Sequence, residues 1–414
     1  MKIAVIGTGI SGLVCAHLLA RRHELTVYEA ASYIGGHTNT IQVKDADQTL
    51  PIDTGFIVFN KKTYPNFVQL IEKLGVAYQN TSMSFSVKCE ETGLEYNGTN
   101  LNSLFAQRSN VFNLRFLRML AGIIRFNKAA KKFIADNNNE TTLRDFVKHA
   151  QLNDEVVRYY IVPMAASVWS ADPEQMWDFP ALFLLRFWQN HGFLEINERP
   201  QWCVIKGGSN SYIGPLTRSF SDRILLNTPV TKVRRTIDKV FITAAGRSEE
   251  QFDAVVFANH SDQALALLTD PAPEEHELLS AFPYQYNKAV LHTESAVLPR
   301  KKLAWAAWNY HLTKSKSGVA VLTYNMNILQ SLKTQTIYNV TLNPPWPIAA
   351  EKVIKVIDYH HPVFTLAGMK AQSHYPNIMG HKQTFFCGAY LRNGFHEDGV
   401  VTALNVCKHF GESL

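Results

Sequence analysis

The run Lys2-Ile3-Ala4-Val5-Ile6-Gly7-Thr8-Gly9-Ile10-Ser11-Gly12 decides how this chain folds: a short apolar strand, a turn with glycines in GxGxxG spacing, and the opening of a helix. The helical pattern covers residues 11–22, and a second apolar run, Leu25-Thr26-Val27-Tyr28, follows it. Strand, tight turn, helix and strand in this order begin a doubly wound α/β domain. Each glycine then has a physical task. Gly7 permits the turn, Gly9 lets backbone come close to a diphosphate, and Gly12 lets the helix pack on the strand, while Ser11 sits at a helix start whose free N–H groups favour an anion.

Working outward, Glu29 closes the second strand beside Ala30, where a carboxylate accepts hydrogen bonds from adenosine ribose hydroxyls and argues against a 2′-phosphate. Six residues on, Gly35-Gly36-His37-Thr38 supplies a second glycine-rich backbone approach with hydroxyl and imidazole donors. An NAD site does not need this second loop, so FAD is the expected cofactor; an ordinary loop glycine pair is the plain alternative. Near the other end, Gly388 follows an apolar strand, and Asp398-Gly399-Val400 opens a helix whose N-terminus can face a flavin edge that becomes electron-rich on reduction. A simple N-cap role for Asp398 is the competing reading.

At 414 residues the chain has room for two or three domains of ~150 residues each. With 46% hydrophobic and 18% charged residues it is neither disordered nor low in complexity. The net charge of +6 is local: Arg108, Arg115, Arg118, Arg125, Lys128, Lys131 and Lys132 fall between Tyr96 and Ala135 without one acid, leaving 34 basic against 35 acidic residues elsewhere. A nucleic-acid surface would spread its cations more widely, so no nucleic-acid partner is expected. Cys15, Cys89, Cys203, Cys387 and Cys407 are odd in number and lack disulfide or zinc spacing, so no metal is expected. The chain opens on a strand without a signal-peptide pattern, and no stretch reaches the ~18 apolar residues of a membrane span. A cytoplasmic protein is expected.

Helical spacing with repeated aromatics runs over residues 98–191, and strand-like runs return at 202–205, 224–226, 239–243, 254–258, 289–292, 319–324 and 338–342. Nucleotide-type pieces thus occur at the start, middle and end. The expected fold is α/β: a discontinuous Rossmann-like FAD-binding domain over 1–75, 200–280 and 365–414, and a second α+β substrate domain with a helical insert over 76–199 and 281–364.

Taken together, these pieces resemble the flavin-dependent amine oxidase superfamily of protoporphyrinogen oxidases, carotene desaturases and monoamine oxidases. The runs Asp53-Thr54-Gly55-Phe56-Ile57-Val58-Phe59-Asn60, Ala304-Trp305-Ala306-Ala307-Trp308-Asn309-Tyr310 and Gly394-Phe395-His396-Glu397-Asp398-Gly399 are similar to the bacterial NAD/FAD-binding oxidoreductases associated with cyclopropane fatty-acyl synthases. The resemblance implies that Gly7, Gly9, Ser11 and Gly12 hold the pyrophosphate, Glu29 the ribose, and Gly36 to Thr38 the phosphate and ribityl region. It further implies that Gly55 and Phe56 approach the ring, Val230 binds adenine through its backbone, and Asp398 to Val400 lie at the helix start beneath the flavin. His37 departs from the superfamily pattern, which usually has Arg there, making that contact weaker or pH-dependent. No Cys-containing tethering motif is present, so FAD is expected to be non-covalent.

An FAD enzyme of this kind moves a hydride equivalent to flavin N5 and needs no nucleophile, so no catalytic residue is assigned; His191, His260 and His292 are weighed as acids or bases against plain structural roles. Trp305, Trp308, Tyr310 and Tyr324 either line an apolar substrate cavity or pack a core, and Trp169 and Trp177 pose the same choice. In the basic segment, residues 108–132, Arg118, Arg125, Lys128 and Lys132 share one helical side while Phe116, Leu120, Ile123 and Ile124 share another. Such a helix can lie on an anionic membrane, on the inner face, or be a solvated domain helix. The expected activity is oxidation of an apolar, fatty-acyl or lipid substrate, with oxygen or a quinone-like acceptor regenerating the flavin. The alternatives are an amine oxidase acting on a small amine, and a non-catalytic FAD-binding partner of a lipid methyltransferase.

Overall fold

In the computed structural model, which describes residues 1–195, 199–314 and 318–414, short apolar runs from three separated stretches assemble one parallel sheet. Its strands are β1 (Lys2–Ile6), β2 (Glu24–Tyr28), β3 (Ile224–Leu225), β4 (Ala254–Phe257) and β5 (Thr384–Phe386), in the order β3-β2-β1-β4-β5. The central strands are buried nearly throughout, as a sheet covered on both faces requires. The order turns outward in both directions from β1, so β1 and β4 flank a topological switch point.

The helices follow from their apolar faces. The first, α1 (Ile10–Leu19), is buried on nearly all sides. Next, α2 (Pro65–Lys73) has Pro65 in its first turn and buries Phe67, Val68, Leu70 and Ile71. The long α3 (Leu114–Asp136) buries Phe116, Met119, Gly122, Phe126 and Ala130, while α4 (Ala181–Asn190) buries Phe183, Leu184, Phe187 and Trp188. The last, α5 (His396–His409), crosses α1 so closely that a Cβ on Gly399 would lie 2.7 Å from Ile10 Cγ2.

A second, seven-stranded sheet runs Val353–Pro362, Tyr284–His292, Asn339–Leu342, Leu322–Asn325, Trp308–Leu312, Phe85–Cys89 and Glu95–Asn97. It is antiparallel except where Trp308–Leu312 meets Phe85–Cys89. Its edge strand Val353–Pro362 was not anticipated, because Tyr359 alone is buried in it and the remaining residues face solvent in whole or in part, leaving no core-type apolar pattern. Helices of residues 101–190 share one apolar core with this sheet.

A buried carboxylate ties separate segments of the chain together. Asp53 accepts hydrogen bonds from Ser209 N (2.7 Å), Ser209 Oγ (2.9 Å), Thr40 Oγ1 (2.6 Å) and Gln330 Nε2 (3.2 Å). Burial nevertheless pushes its pKa up to about 6.

One expectation about α3 needs correction. Its apolar stripe packs against the domain core, and Ile124, placed on that stripe by spacing, is instead 65% exposed among the cations.

Candidate active site

The carboxyl ends of four parallel strands open on one cavity of about 770 Å³. Gly7 follows β1, Glu29 and Ala30 follow β2, Ala258 to His260 follow β4, and Gly388 follows β5. Ligands in open α/β sheets bind at this position. Gly7 has φ +102°, and a Cβ there would lie 3.0 Å from the Ala258 carbonyl oxygen. A Cβ on Gly12 would sit 2.0 Å from the Gly7 carbonyl oxygen, so Gly12 is needed for the turn to pack, and it does not itself line the cavity. Gly9 is the opposite case: nothing lies within 4 Å of its Cβ position, which leaves room for a ligand against bare backbone.

The second loop closes over the first, with the Cβ position of Gly36 3.4 Å from Gly9 Cα. Glu29 is held from behind: Thr8 N (2.9 Å) and Thr8 Oγ1 donate to one oxygen and Ala31 N (2.8 Å) to the other. A carboxylate has about four lone-pair sites, so acceptor capacity remains for a ribose. Val230, with Thr228 and Pro229, lines this end, as do Ser11, Gly35, His37, Gly55 and Phe56.

Beyond Phe56 the wall becomes aromatic. Trp169, Phe187 and Phe395 form a contiguous group, with Phe187 4.7 Å from Phe395 and 5.0 Å from Trp169 between ring centres. Trp308 and Tyr324 pack edge-on at 5.3 Å, and Phe364, Met83, Phe193 and Trp202 also line the cavity. Trp305 and Tyr310 do not line the cavity. Trp305 donates its indole N–H to the Pro299 carbonyl (2.7 Å), and Tyr310 is buried in the core. Trp177 is likewise outside it, under Arg144.

Several other expectations resolve differently. Asp398, Gly399 and Val400 lie behind the wall rather than on it; Gly394, Phe395 and His396 are the residues exposed there. Asp398 is the third residue of α5, not its N-cap, and accepts from the Phe395 backbone N–H (3.0 Å), Arg392 Nε and Asn393 Nδ2 (both 3.1 Å). Thr38 also stands behind the wall, where its hydroxyl and Tyr212 OH both lie within hydrogen-bond distance of His396 Nε2 (3.1 and 3.0 Å). Burial drives the His396 pKa down to about 3, and its ring stacks on Phe56 at 3.5 Å. A neutral ring therefore rests against the side chain expected beside the flavin.

Of the histidines weighed earlier, His292 is bonded through both nitrogens, to Thr341 Oγ1 (2.7 Å) and from Glu294 N (3.0 Å). His191 is bonded through both as well, to Phe187 O (2.8 Å) and Thr63 Oγ1 (3.1 Å). His260 lines the cavity and stacks on Tyr284. His360 and His361, on the edge strand, and Tyr390 were not singled out in the sequence. A pair of adjacent histidines ahead of Pro362 was the one signal available.

The residues present fit a large, mixed-polarity cofactor. Four buried polar atoms without a hydrogen-bond partner, His37 Nε2, Asn259 Oδ1, Trp308 Nε1 and Tyr390 OH, belong to residues that line this cavity. Such groups are rare in native interiors and point to a partner supplied from outside the chain. The bare backbone at Gly9, the acceptor at Glu29 and the apolar far half match a diphosphate, a ribose and a flat ring in that sequence.

A parallel sheet with glycine turns at its switch point and an aromatic chamber beyond defines a nucleotide-cofactor oxidoreductase. The chain matches the family of flavin-containing amine oxidoreductases over residues 10–327, more than three quarters of its length, and belongs to that family. It is thus an FAD-dependent oxidoreductase by class. It is similar to tryptophan 2-monooxygenase of Allorhizobium ampelinum, 36% identical over 104 residues, a stretch covering 24% of this chain and 14% of that protein. In fold it is similar to a CLA-producing fatty acid isomerase from P. acnes (TM-score 0.69, 15% identity, 99% of this chain and 98% of that one). It is also similar to cyclohexylamine oxidase from Brevibacterium oxydans IH-35A (TM-score 0.69, 16% identity, 99% of each chain) and to a putrescine oxidase (TM-score 0.67, 12% identity, 99% of each chain).

Proposed function

We propose that the protein is an oxidase or desaturase acting on an apolar, lipid-derived substrate seated in the aromatic half of the cavity. The observation that carries this reading is the charge on the wall. Among the described residues no Lys or Arg lines the cavity, and the carboxylates that do are Glu29, engaged at the nucleotide end, and Asp358, an exposed residue taking the Tyr286 hydroxyl at 2.6 Å. An ammonium substrate would find no carboxylate among Trp169, Phe187, Trp308, Tyr324, Phe364 and Phe395, whereas an acyl chain would bury its surface against all of them.

Bound FAD supplies a two-electron acceptor for a hydride equivalent. Around it the chain's own residues orient and exclude. Gly7, Gly9, Ser11 and Gly36 would cradle the diphosphate, Glu29 the ribose, and the backbone near Val230 the adenine. Trp169, Phe187 and Phe395 would keep water from the reacting carbon. A second reading, a small amine held over the faces of Trp308 and Tyr324, is favoured by those aromatic walls alone.

The proposal includes a bilayer contact. Phe112 (87% exposed), Leu114 (76%) and Leu101 (75%) stand beside Arg108, Arg115 and Arg118, and Arg115, Lys128 and Lys132 have no ion-pair partner among the described residues. Exposed apolar side chains ringed by cations suit an anionic lipid surface, where each cation contributes about 1 kcal/mol.

Anaerobic bleaching of the flavin spectrum by phospholipid acyl chains or by amines tests the reading. Bleaching by lipid supports it; bleaching by amines alone overturns it in favour of the second reading. Bleaching by neither points to a non-catalytic partner of a lipid methyltransferase. Sedimentation with vesicles of neutral or 30% anionic lipid tests the surface: binding that ignores both lipid charge and Phe112→Ser removes the membrane part.

A further inference from the structure

We infer that His37 and His361, with His260 beside them, are the side chains that meet the diphosphate of FAD, and that cofactor binding brings protons onto this histidine set. The inference rests on the FAD reading and adds how the anion is neutralised.

The geometry begins with the two glycine loops. His37 directly follows Gly36, whose Cβ position lies 3.4 Å from Gly9 Cα, and it lines the same cavity as both glycines. Its ring is stacked on Tyr359 (4.8 Å, 24°) and lies 5.1 Å from the His361 ring. Its Nε2 is buried without a partner, an atom able to bond only something the chain does not supply.

His361 has a defined tautomer. Asn343 Nδ2 donates to Asn287 Oδ1 (2.7 Å), which turns Asn287 Nδ2 toward His361 Nδ1 at 2.9 Å. Nδ1 therefore accepts, the ring proton sits on Nε2, and no partner among the described residues takes it. His260 follows Asn259, whose backbone nitrogen would be 3.3 Å from a Cβ on Gly7, so it flanks the same turn.

Among the described residues no permanent cation answers a doubly charged diphosphate here, since neither Lys nor Arg of that set lines the cavity. The surrounding titratable groups do not substitute. From the edge strand come Tyr359, His360 and Asp358; from the neighbouring strand, Tyr284 under His260 and Tyr286 bonded to Asp358; from the helix after His260, Asp262; from α5, His396; from the first loops, Glu29 and Tyr33. The histidines are also not arranged as a metal centre, because no metal-binding group of His, Cys, Asp and Glu occurs among the described residues.

Without ligand the imidazoles are neutral. Burial holds His37 well below its usual range, reinforced by His361 and His260; burial holds His361 at about 4 and lowers His260 against the pull of Asp262. A dianion adds the attraction they lack, so their pKa values rise on binding and the complex holds more protons than its parts. The sign follows: FAD affinity grows as pH falls through the window between free and bound pKa values, and is lost as pH rises above the bound values.

The test is equilibrium dialysis of the full-length holoprotein from pH 6 to 8.5, with released flavin read by fluorescence and the bound diphosphate followed by phosphorus NMR. The expected result is a Kd that rises about tenfold per pH unit for each linked proton, with phosphorus shifts titrating in step. His37→Asn and His361→Asn should each flatten the profile, and His37→Arg should remove the share of the pH dependence carried by position 37. A flat wild-type profile with FAD well retained overturns the histidine inference while leaving FAD as the cofactor. Protein that takes up no flavin at any pH overturns both, and neither outcome depends on a variant folding.

Discussion

The two halves of the cavity are built from different material. At the nucleotide end much of the wall is backbone, set by Gly7, Gly9, Gly36 and Gly388, with the Glu29 carboxylate and a few imidazoles as its polar side chains. At the far end the wall is side chain, drawn from residues 169, 187, 308, 324, 364 and 395 on separate elements. A backbone site demands glycine at fixed local spacing, whereas an aromatic chamber demands only bulk from wherever the fold brings it. The first half is therefore intolerant at single positions, and the second can be re-cut without losing the cofactor.

The sharpest break between halves lies within the first. Gly12→Val should abolish folding, because its Cβ has 2.0 Å to the Gly7 oxygen and cannot move it; overpacking of this kind exceeds the usual 1–3 kcal/mol, and soluble yield and melting would show it. Gly9→Ala, three residues away, should leave melting of the flavin-free protein unchanged or raised by about 0.4–1 kcal/mol, yet lower flavin content. Equal effects of the two would erase the distinction between a packing glycine and a contact glycine.

In the aromatic half, Trp169→Ala removes a side chain only 5% exposed and should cost about 3–5 kcal/mol of stability while flavin retention, measured below the new melting point, stays intact. Loss of flavin with it would join the halves. Both halves share a pH response. His191, His292 and His361 are held by burial at about 4, and His311 and His396 at about 3. Their folded values lie below the unfolded ~6.5, so the unfolded chain binds more protons and stability of the flavin-free protein falls as pH drops from 6.5 toward 4. Asp53, raised to about 6, acts oppositely over part of that range. Glu397 and Asp398, also raised by burial, act with Asp53, but the lowered histidines, which include His17, His23, His37 and His260 as well, outnumber these carboxylates, so the melting temperature should fall on acidification, and a flat profile would remove the burial argument.

Smaller effects refine the contrast. Glu29→Gln should weaken FAD binding by about 1.5–3 kcal/mol, the worth of hydrogen bonds to a charged group, read as Kd. Trp308→Phe should alter stability by less than about 1 kcal/mol, because its indole N–H bonds nothing in the chain; a larger loss would mean that nitrogen already has a structural task.

The same contrast explains what could be read from the linear chain. The turn at Gly7 to Gly12, the acid at Glu29 and the loop at Gly35-Gly36 were legible because backbone constraints act within a few residues. The strand Trp202–Ile205 was legible because it is buried throughout. The edge strand Val353–Pro362 was not, since solvent on its outer side breaks the pattern. Trp305 and Trp308 looked equivalent at three residues' spacing, yet a short turn over Lys302–Ala304 precedes one while the other begins a strand, so only Trp308 reaches the cavity. His396 acquires its role from Thr38, Tyr212 and Phe56, partners 184 to 358 positions away or stacked across the fold, and no local spacing encodes that.

The crossing of α1 and α5 has a consequence for biosynthesis. The first helix has almost no polar face to show water, and the element that covers it, His396–His409, is made nearly four hundred residues later. At the usual ~5–20 residues per second, a ribosome needs about 20–80 s between releasing one partner and releasing the other. During that interval the newborn chain carries a naked greasy rod, a natural substrate for holding chaperones until synthesis of α5 supplies its mate.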